Sequence, residues 1–98
     1  MLELIQWGGF LGSRHLGAEI RKMIEADLAE GLTVVINCKG VDMISHSFAD
    51  EFMGKLAANL GRNAFRERVK FKNVSPKIAS ILRYVISNRL SSEPDRKT

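Results

Sequence analysis

The sequence predicts an α/β fold in which strands of a mainly parallel (mixed) β-sheet alternate with three main helices. Residues 33–38 (TVVINC) are mostly apolar and β-branched on both faces, as expected of a central parallel strand that helices cover. Three other segments repeat apolar residues at helical spacing, and each follows a strand-like segment. This alternation favours right-handed crossovers within one mainly parallel sheet.

The first third of the chain predicts one strand and one helix. Residues 2–7 alternate between two faces, which indicates a strand, and the glycine-rich residues 8–13 (GGFLGS) predict a connecting link. Gly31 is expected to end the first helix, because glycine readily adopts the left-handed backbone found after a helix. That helix is predicted over about residues 15–30 by apolar residues at helical spacing: Leu16, Ile20, Met23, Ile24 and Leu28.

A second helix is predicted over about residues 47–60. We expect Ser47 to cap it by accepting a hydrogen bond from the backbone N–H of Asp50, whose side chain returns a bond to Ser47. Gly61 is expected to end the helix. Its large apolar residues recur every four positions: Phe48, Phe52, Leu56 and Leu60.

The last part of the chain predicts a third strand and a third helix. Residues 69–74 (VKFKNV) form the strand, and Ser75 followed by Pro76 is a typical helix start. We expect a single domain over residues 1–90 and a flexible polar tail over residues 91–98. The third helix has an apolar stripe made of Ile78, Ile81, Leu82, Val85 and Ile86.

The composition is that of an ordinary globular protein, with 98 residues, 45% of them hydrophobic and 27% charged. No apolar run approaches the roughly 20 residues that span a bilayer, and no signal peptide is evident, so we expect no membrane contact. The single cysteine, Cys38, lies in the predicted central strand and is expected to be a small buried hydrophobe. A lone cysteine without a disulfide partner favours a cytoplasmic location.

The sequence contains none of the common catalytic or cofactor motifs, so we expect no enzyme activity, no metal and no cofactor. Gly8, Gly9 and Gly12 do not have the spacing of a phosphate-binding loop. The two histidines and one cysteine make no recognisable metal set. Ser47, His46 and Asp50 contain the residue types of a hydrolytic triad, but neighbouring residues at a helix start rarely point at each other.

Positive charge is concentrated in the second half of the chain. Residues 1–49 hold four basic and six acidic side chains, whereas residues 50–98 hold eleven and five. Arg66, Arg68, Lys70 and Lys72 alternate through the region of the third strand, which predicts a basic face for an acidic protein or a nucleic acid. No aromatic residue is interleaved on that face, so nucleic acid is the less favoured partner. The alternative is an edge strand that its charges protect from aggregation.

Residues 28–47 (LAEGLTVVINCKGVDMISHS) resemble the core of a STAS domain, the module of sulfate transporters and anti-sigma factor antagonists. In that family a helix, a glycine, an apolar strand, a Gly-Val turn and an Asp-Ser-Ser/Thr-Gly helix start follow in the same order. Residues 73–78 (NVSPKI) are similar to the last strand-to-helix junction of the family, and the resemblance covers about residues 8–90. Residues 12–14 (GSR) and 45–50 (SHSFAD) resemble the divergent STAS-like branch, many of whose members have no assigned function.

The resemblance implies a regulatory module that binds another protein, as the anti-sigma factor antagonists do. In those proteins a histidine-kinase-like ATPase phosphorylates the serine that follows the aspartate, and the unphosphorylated form binds that partner. Here Ser45 stands at the aspartate, His46 at the phosphorylated serine and Ser47 at the next position. Phosphorylation of Ser47 or Ser45 therefore requires a shift of one residue from the family pattern.

The same resemblance implies where a protein partner binds. The partner would be a histidine-kinase-like ATPase or an anti-sigma factor, and a homo-oligomer that uses the first strand as an edge is an alternative. Phe48 stands at the family's glycine and is expected to be exposed at the helix start. The expected partner-binding residues are Ser13, Arg14, Ser45, His46, Ser47 and Phe48.

Overall fold

A computed structural model describes residues 1–91. In chain order its elements are β1 (Leu2–Glu3), a 3-10 helix (Leu4–Trp7), β2 (Phe10–Leu11), α1 (Arg14–Ala29), β3 (Val34–Asn37), β4 (Met43–Ile44), α2 (His46–Ala49), a π-helical turn (Asp50–Gly54), α3 (Lys55–Leu60), α4 (Arg62–Arg68), β5 (Val69–Lys72) and α5 (Pro76–Ser91).

The strands form two small parallel sheets. The larger sheet has three strands in the order β1-β3-β5, with Ile36 paired to Leu2 on one side and to Phe71 on the other. The smaller sheet pairs β2 with β4, so that Phe10 lies beside Met43 and Leu11 beside Ile44. The predicted α/β class with mainly parallel strands is confirmed, although the strands are divided between two sheets rather than forming one.

Two predictions about the N-terminal region are wrong. Residues 8–13 are not only a link, because Phe10 and Leu11 form β2. The first strand stops at Glu3, and residues 4–7 turn into a 3-10 helix that buries Leu4. Alternation over six residues did not distinguish a full strand from a two-residue strand that continues as a tight helix.

The core lies between the sheets and the helices. Ile20, Ile24 and Leu28 of α1 are buried against the sheet residues Val34 and Ile36. The expected buried face of α1 is confirmed for these three residues, but Met23, which was assigned to the same stripe, is 50% exposed. Gly31, just beyond the end of α1, has the left-handed backbone (φ +85°) that was expected. Cys38 is buried as predicted, and burial raises the pKa of its thiol to about 11.

Residues 46–60 form one helical segment in which α2, the π-helical turn and α3 follow without a break. An α-helix advances 3.6 residues per turn, so side chains four apart drift about 40° around the axis at each step. The wider π-helical turn offsets part of this drift. Phe48, Phe52 and Leu56 are consequently all buried on one face, and Gly61 ends the segment with a left-handed backbone (φ +87°).

The helix α4 was not predicted. Residues 62–68 carry the charged sequence RNAFRER, and only Phe65 of this helix is buried. The third strand begins at Val69 as expected but ends at Lys72 rather than residue 74. Ser75 caps α5 as predicted, with its hydroxyl accepting the Ile78 N–H at 3.2 Å.

The predicted polar tail over residues 91–98 lies outside the described residues except for Ser91, which is the last residue of α5. Within residues 1–91, no helix has the length and apolar character needed to cross a membrane.

Candidate functional site

The pairing of β2 with β4 places two helix starts side by side. Each of these parallel strands leads directly into a helix, α1 after Leu11 and α2 after Ile44. The Ser45 N–H donates to the Leu11 carbonyl at 2.9 Å, and the Ser45 hydroxyl donates to the Gly12 carbonyl at 2.8 Å. The carboxyl ends of parallel strands are where sites form in α/β folds, and this junction is such a place.

Ser13 and Ser45 are the capping residues of the two helices. The Ser13 hydroxyl accepts the Leu16 N–H at 3.0 Å, and the Ser45 hydroxyl accepts the Phe48 N–H at 3.0 Å. The prediction that Ser47 caps the second helix is therefore wrong, because Met43 and Ile44 form β4 and the helix begins at His46, directly after Ser45. Asp50 does not return a capping bond; its carboxylate pairs with arginines instead.

A polar cleft of about 330 Å³ opens between the start of α2, the start of α1 and one side of α5. It brings together three of the predicted site residues, Arg14, His46 and Ser47, with residues that are distant in sequence. Its walls are formed by Arg14, His46, Ser47, Asp50, Tyr84, Val85, Asn88 and Arg89. Half of the predicted partner-binding residues therefore meet the polar side of α5 at this cleft, and Ser13, Ser45 and Phe48 do not line it.

The two candidate serines differ in what their hydroxyls do. The Ser45 hydroxyl donates one hydrogen bond to the backbone and accepts another from it, so it helps to hold the two helix starts together. Ser47 is half-buried at the wall of the cleft, and its hydroxyl makes no hydrogen bond to any part of residues 1–91. Ser47 is thus the serine whose oxygen is available for chemistry.

His46 and Tyr84 form an exposed aromatic pair at the cleft. Their ring centroids are 5.6 Å apart and the rings meet edge to face at 80°. His46 is exposed, and Tyr84 is 61% exposed to solvent. An exposed tyrosine beside polar groups is typical of protein contact surfaces.

A network of charged side chains links the helices that form the cleft. Arg89 of α5 binds Asp50 through two parallel bonds, Nε to Oδ1 at 2.9 Å and Nη2 to Oδ2 at 2.7 Å. Arg14 approaches both Asp50 (3.4 Å) and Glu51 (3.2 Å). Charge-assisted pairs of this kind fix geometry as well as add stability, so they set the position of α5 against the helix start.

The rest of the network is formed by Arg21, Glu51 and Lys55, which do not line the cleft. The Arg21 guanidinium donates to the Glu51 carbonyl at 2.6 Å and lies 3.2 Å from the Glu51 carboxylate. Lys55 binds the same carboxylate at 3.0 Å. The Arg21 contacts join α1 to the π-helical turn, whereas the Lys55 contact lies within residues 50–55.

The network shifts the acid–base properties of its members. The pKa of the Asp50 carboxyl is held below its ordinary value, mainly by the hydrogen bond from Arg89. The pKa of Glu51 is lowered chiefly by the hydrogen bond from Lys55. The pKa of the Arg89 guanidinium is raised, mainly by its hydrogen bond to Asp50. Both carboxylates are therefore charged near neutral pH, and the cleft contains paired charges of both signs.

Phe48 is fully buried, so the prediction that it is exposed to a partner is wrong. Its ring packs against Phe52 with centroids 5.0 Å apart. The first apolar residue of a capped helix normally faces inward when the rest of its stripe does, and here the stripe continues through Leu56. Tyr84, unlike Phe48, is an exposed aromatic residue at the cleft.

The predicted basic face does not exist as one strand face. Arg66 and Arg68 lie in the last turn of α4, where cations suit the helix dipole, and Lys70 and Lys72 lie on β5. The Arg68 guanidinium donates to the carbonyls of Leu28 and Leu32, at 2.5 and 3.1 Å. Nucleic-acid binding stays a prediction, and the regular stripe of four charges that motivated it is absent.

No group of three or more potential metal-binding side chains (His, Cys, Asp or Glu) occurs within residues 1–91. Tyr84, Asn88 and Arg89 were not recognised as cleft residues from the sequence. These three residues lie on one polar side of α5. The apolar stripe of the helix predicts that such a polar side exists, but nothing in the sequence shows which element it faces.

The sequence model of one protein family, described as a STAS-like domain of unknown function (DUF4325), matches residues 17–79. The match covers more than half of the 98 residues, so the protein belongs to this family. The resemblance to the divergent STAS-like branch is confirmed. No curated protein and no solved structure gives a match to the chain.

Proposed function

We propose that this protein is a non-enzymatic regulatory module that binds a protein partner through the polar cleft. In this proposal, phosphorylation of Ser47 switches that contact off. The observation that carries the proposal is the Ser47 hydroxyl, which makes no hydrogen bond within residues 1–91 and lies on the cleft wall with Arg14 and Arg89.

The contrast with Ser45 supports Ser47 as the modified residue. A phosphate on Ser45 would remove the hydroxyl proton given to the Gly12 carbonyl and crowd the cap of α2. A phosphate on Ser47 breaks no existing hydrogen bond. Ser47 Oγ would take the γ-phosphoryl group of ATP and lose its proton, with ADP as the leaving group.

The charges around Ser47 indicate how the switch would work. The phosphate brings a charge of about −1.5 to −2, which the first turn of a helix tolerates. It also competes with Asp50 for Arg14, whose side chain is 55% exposed and therefore able to move. The surface seen by a partner changes in charge and shape, while the buried core behind it is unaffected.

The family resemblance supports the kind of partner. Anti-sigma factor antagonists bind a histidine-kinase-like ATPase that acts as both anti-sigma factor and kinase, and a partner of that class is proposed here. His46 stands where those proteins carry the modified serine. It is exposed next to Tyr84, so we expect it to contribute to partner contact rather than to carry the phosphate.

Affinity capture from the native host tests the proposal with the wild type, Ser47→Glu and Ser80→Glu. Ser80 is an exposed residue of α5 that does not line the cleft, so its variant carries the same charge change elsewhere. We expect the wild type and Ser80→Glu to retain an ATPase partner and Ser47→Glu to lose it. Circular dichroism checks that all three proteins are equally folded.

Mass spectrometry of the captured protein locates the modification. Trypsin cleavage after Lys39 and Lys55 releases residues 40–55, and fragmentation of this peptide separates Ser45, His46 and Ser47. Phosphate on Ser47 supports the proposal. Equal capture by Ser47→Glu and wild type, or a phosphate confined to Ser45 or His46, would contradict it.

A further inference from the structure

A second surface lies on a different side of α5 from the polar cleft. Two adjoining hollows of about 200 and 290 Å³ run between α5, the edge strand β5 and α4. They share Phe71 and Ile86 as walls, and the two hollows together are called here the α5–β5 groove. None of the described residues lines both this groove and the cleft.

We propose that the α5–β5 groove docks an acidic amphipathic segment of a partner protein. The floor of the groove is apolar and its rim is basic, a combination that neither a purely apolar nor a purely anionic ligand matches. Its apolar walls include Phe65, Val69, Phe71, Val74, Leu82 and Ile86.

The rim carries arginines that the described part of the chain leaves without ion pairs. Arg62, Arg66 and Arg83 line the groove and are exposed, and none forms a salt bridge within residues 1–91. Among residues 1–91, no acidic side chain lines the groove. Three cations around an apolar floor are complementary to acidic residues that flank apolar anchors.

The size of the groove favours a short helical or extended segment. Along α5 the lining residues run from Ala79 to Leu90, a distance of about 16 Å at the rise of an α-helix. About three helical turns of a partner cover that length, with apolar side chains three or four residues apart. Nucleic acid fits less well, because the apolar floor offers its phosphates and bases no hydrogen-bonding groups.

Selection from a phage-displayed library of random peptides of about 14 residues tests this inference on the full chain. Enriched peptides are labelled with fluorescein, and fluorescence anisotropy gives their Kd at low and high salt. The test variant is the double substitution Arg66→Glu and Arg83→Glu. The matched control is Lys22→Glu with Lys39→Glu, which makes the same charge change at exposed positions outside the groove.

We expect the enriched peptides to be acidic and amphipathic, and their Kd to rise with salt. The groove variant should bind about tenfold more weakly than wild type, whereas the control should change by less than about twofold. Arg83→Glu alone is measured as well, so the result does not depend on the double variant being stable.

Failure to enrich peptides, enrichment of peptides without acidic residues, or equal losses in both double variants would overturn the proposal. Three other results would assign the groove to another occupant and would also overturn the proposal. One is a dimer of the chain that the groove variant dissociates. Another is peptide binding that appears only after removal of residues 92–98. The third is an oligonucleotide that binds wild type but not the groove variant.

Discussion

The two serines at the start of α2 have different structural roles, although they are two residues apart. Ser45 caps the helix and ties it to Gly12, whereas Ser47 lines the cleft without a hydrogen bond to the described residues. From the sequence, both serines are acceptable caps. The choice depends on where β4 ends, which is set by its two-residue pairing with β2 and leaves no pattern in the local sequence.

We expect Ser45→Ala to lower the free energy of unfolding by about 0.5–2 kcal/mol, because the helix loses its cap and the Gly12 carbonyl loses a donor. Ser47→Ala should change it by less than about 0.5 kcal/mol. Urea unfolding followed by circular dichroism measures both values. A loss in Ser47→Ala as large as that in Ser45→Ala would show that Ser47 has a structural role.

Asp50 makes the stability of the protein depend on pH in the acid range. Its pKa is lower in the folded protein than in the unfolded chain, mainly because of Arg89. The ionised carboxylate therefore stabilises the fold fully above the unfolded-state pKa of about 4. That stabilisation is lost as the pH falls through the lower folded-state value.

We expect Asp50→Asn to be less stable than wild type by about 1–2 kcal/mol at pH 7, and the difference to shrink as the pH falls from about 5 to about 2. Thermal unfolding across this range measures it. Asp42→Asn is the control, since Asp42 is exposed and has no ion pair within residues 1–91. Parallel pH profiles for wild type and Asp50→Asn would mean that the pair with Arg89 contributes nothing to stability.

At the scale of elements, the helical segments that carry apolar stripes were predictable and the short elements were not. The apolar spacing in α1, in residues 46–60 and in α5 follows from burial of one helix face, which is a local pattern. Strands β2 and β4 have two residues each, too few for a period of two to show. The π-helical turn and α4 depend on packing between elements, which a local sequence pattern does not show. The alternating charges from Arg66 to Lys72 predicted a single strand face, but they cross the boundary between α4 and β5.

The contact between α1 and the segment that begins at α2 depends on a glycine. A Cβ atom at Gly17 would lie 2.9 Å from the Phe48 carbonyl oxygen and 3.3 Å from the Phe52 nitrogen. Both are backbone atoms, so neither can rotate away. The absence of a side chain at residue 17 therefore allows α1 to approach the π-helical turn and Arg14 to reach Asp50.

We expect Gly17→Ala to destabilise the protein by about 1–3 kcal/mol, because the two segments must move apart. In an uncrowded helix the same change would be stabilising by roughly 0.5–1 kcal/mol. Chemical denaturation therefore shows whether Gly17→Ala lowers the free energy of unfolding, as expected for a crowded site, or raises it, as expected for an uncrowded helix. A more stable Gly17→Ala variant would contradict the close packing described here.

At the scale of the molecule, α5 connects the features on which the two proposals rest. One side of it contributes Tyr84, Asn88 and Arg89 to the cleft, and another contributes Arg83, Ile86 and Leu90 to the α5–β5 groove. The location of the cleft at a strand-to-helix junction was predictable from the order of elements. The wall that α5 contributes was not predictable, because its residues are about 40 positions away in sequence. The sequence does not show which element the polar side of α5 faces.

The most direct test of a regulatory cleft is the affinity of the captured partner for the protein with and without a phosphate on Ser47. Phosphoserine is incorporated at position 47, and isothermal titration calorimetry compares the modified and unmodified chains at matched thermal stability. We expect the phosphate to weaken the complex by at least about tenfold, because a desolvated interface cannot accommodate about −1.5 to −2 of added charge. Equal affinity of the two forms would contradict a regulatory cleft switched at Ser47.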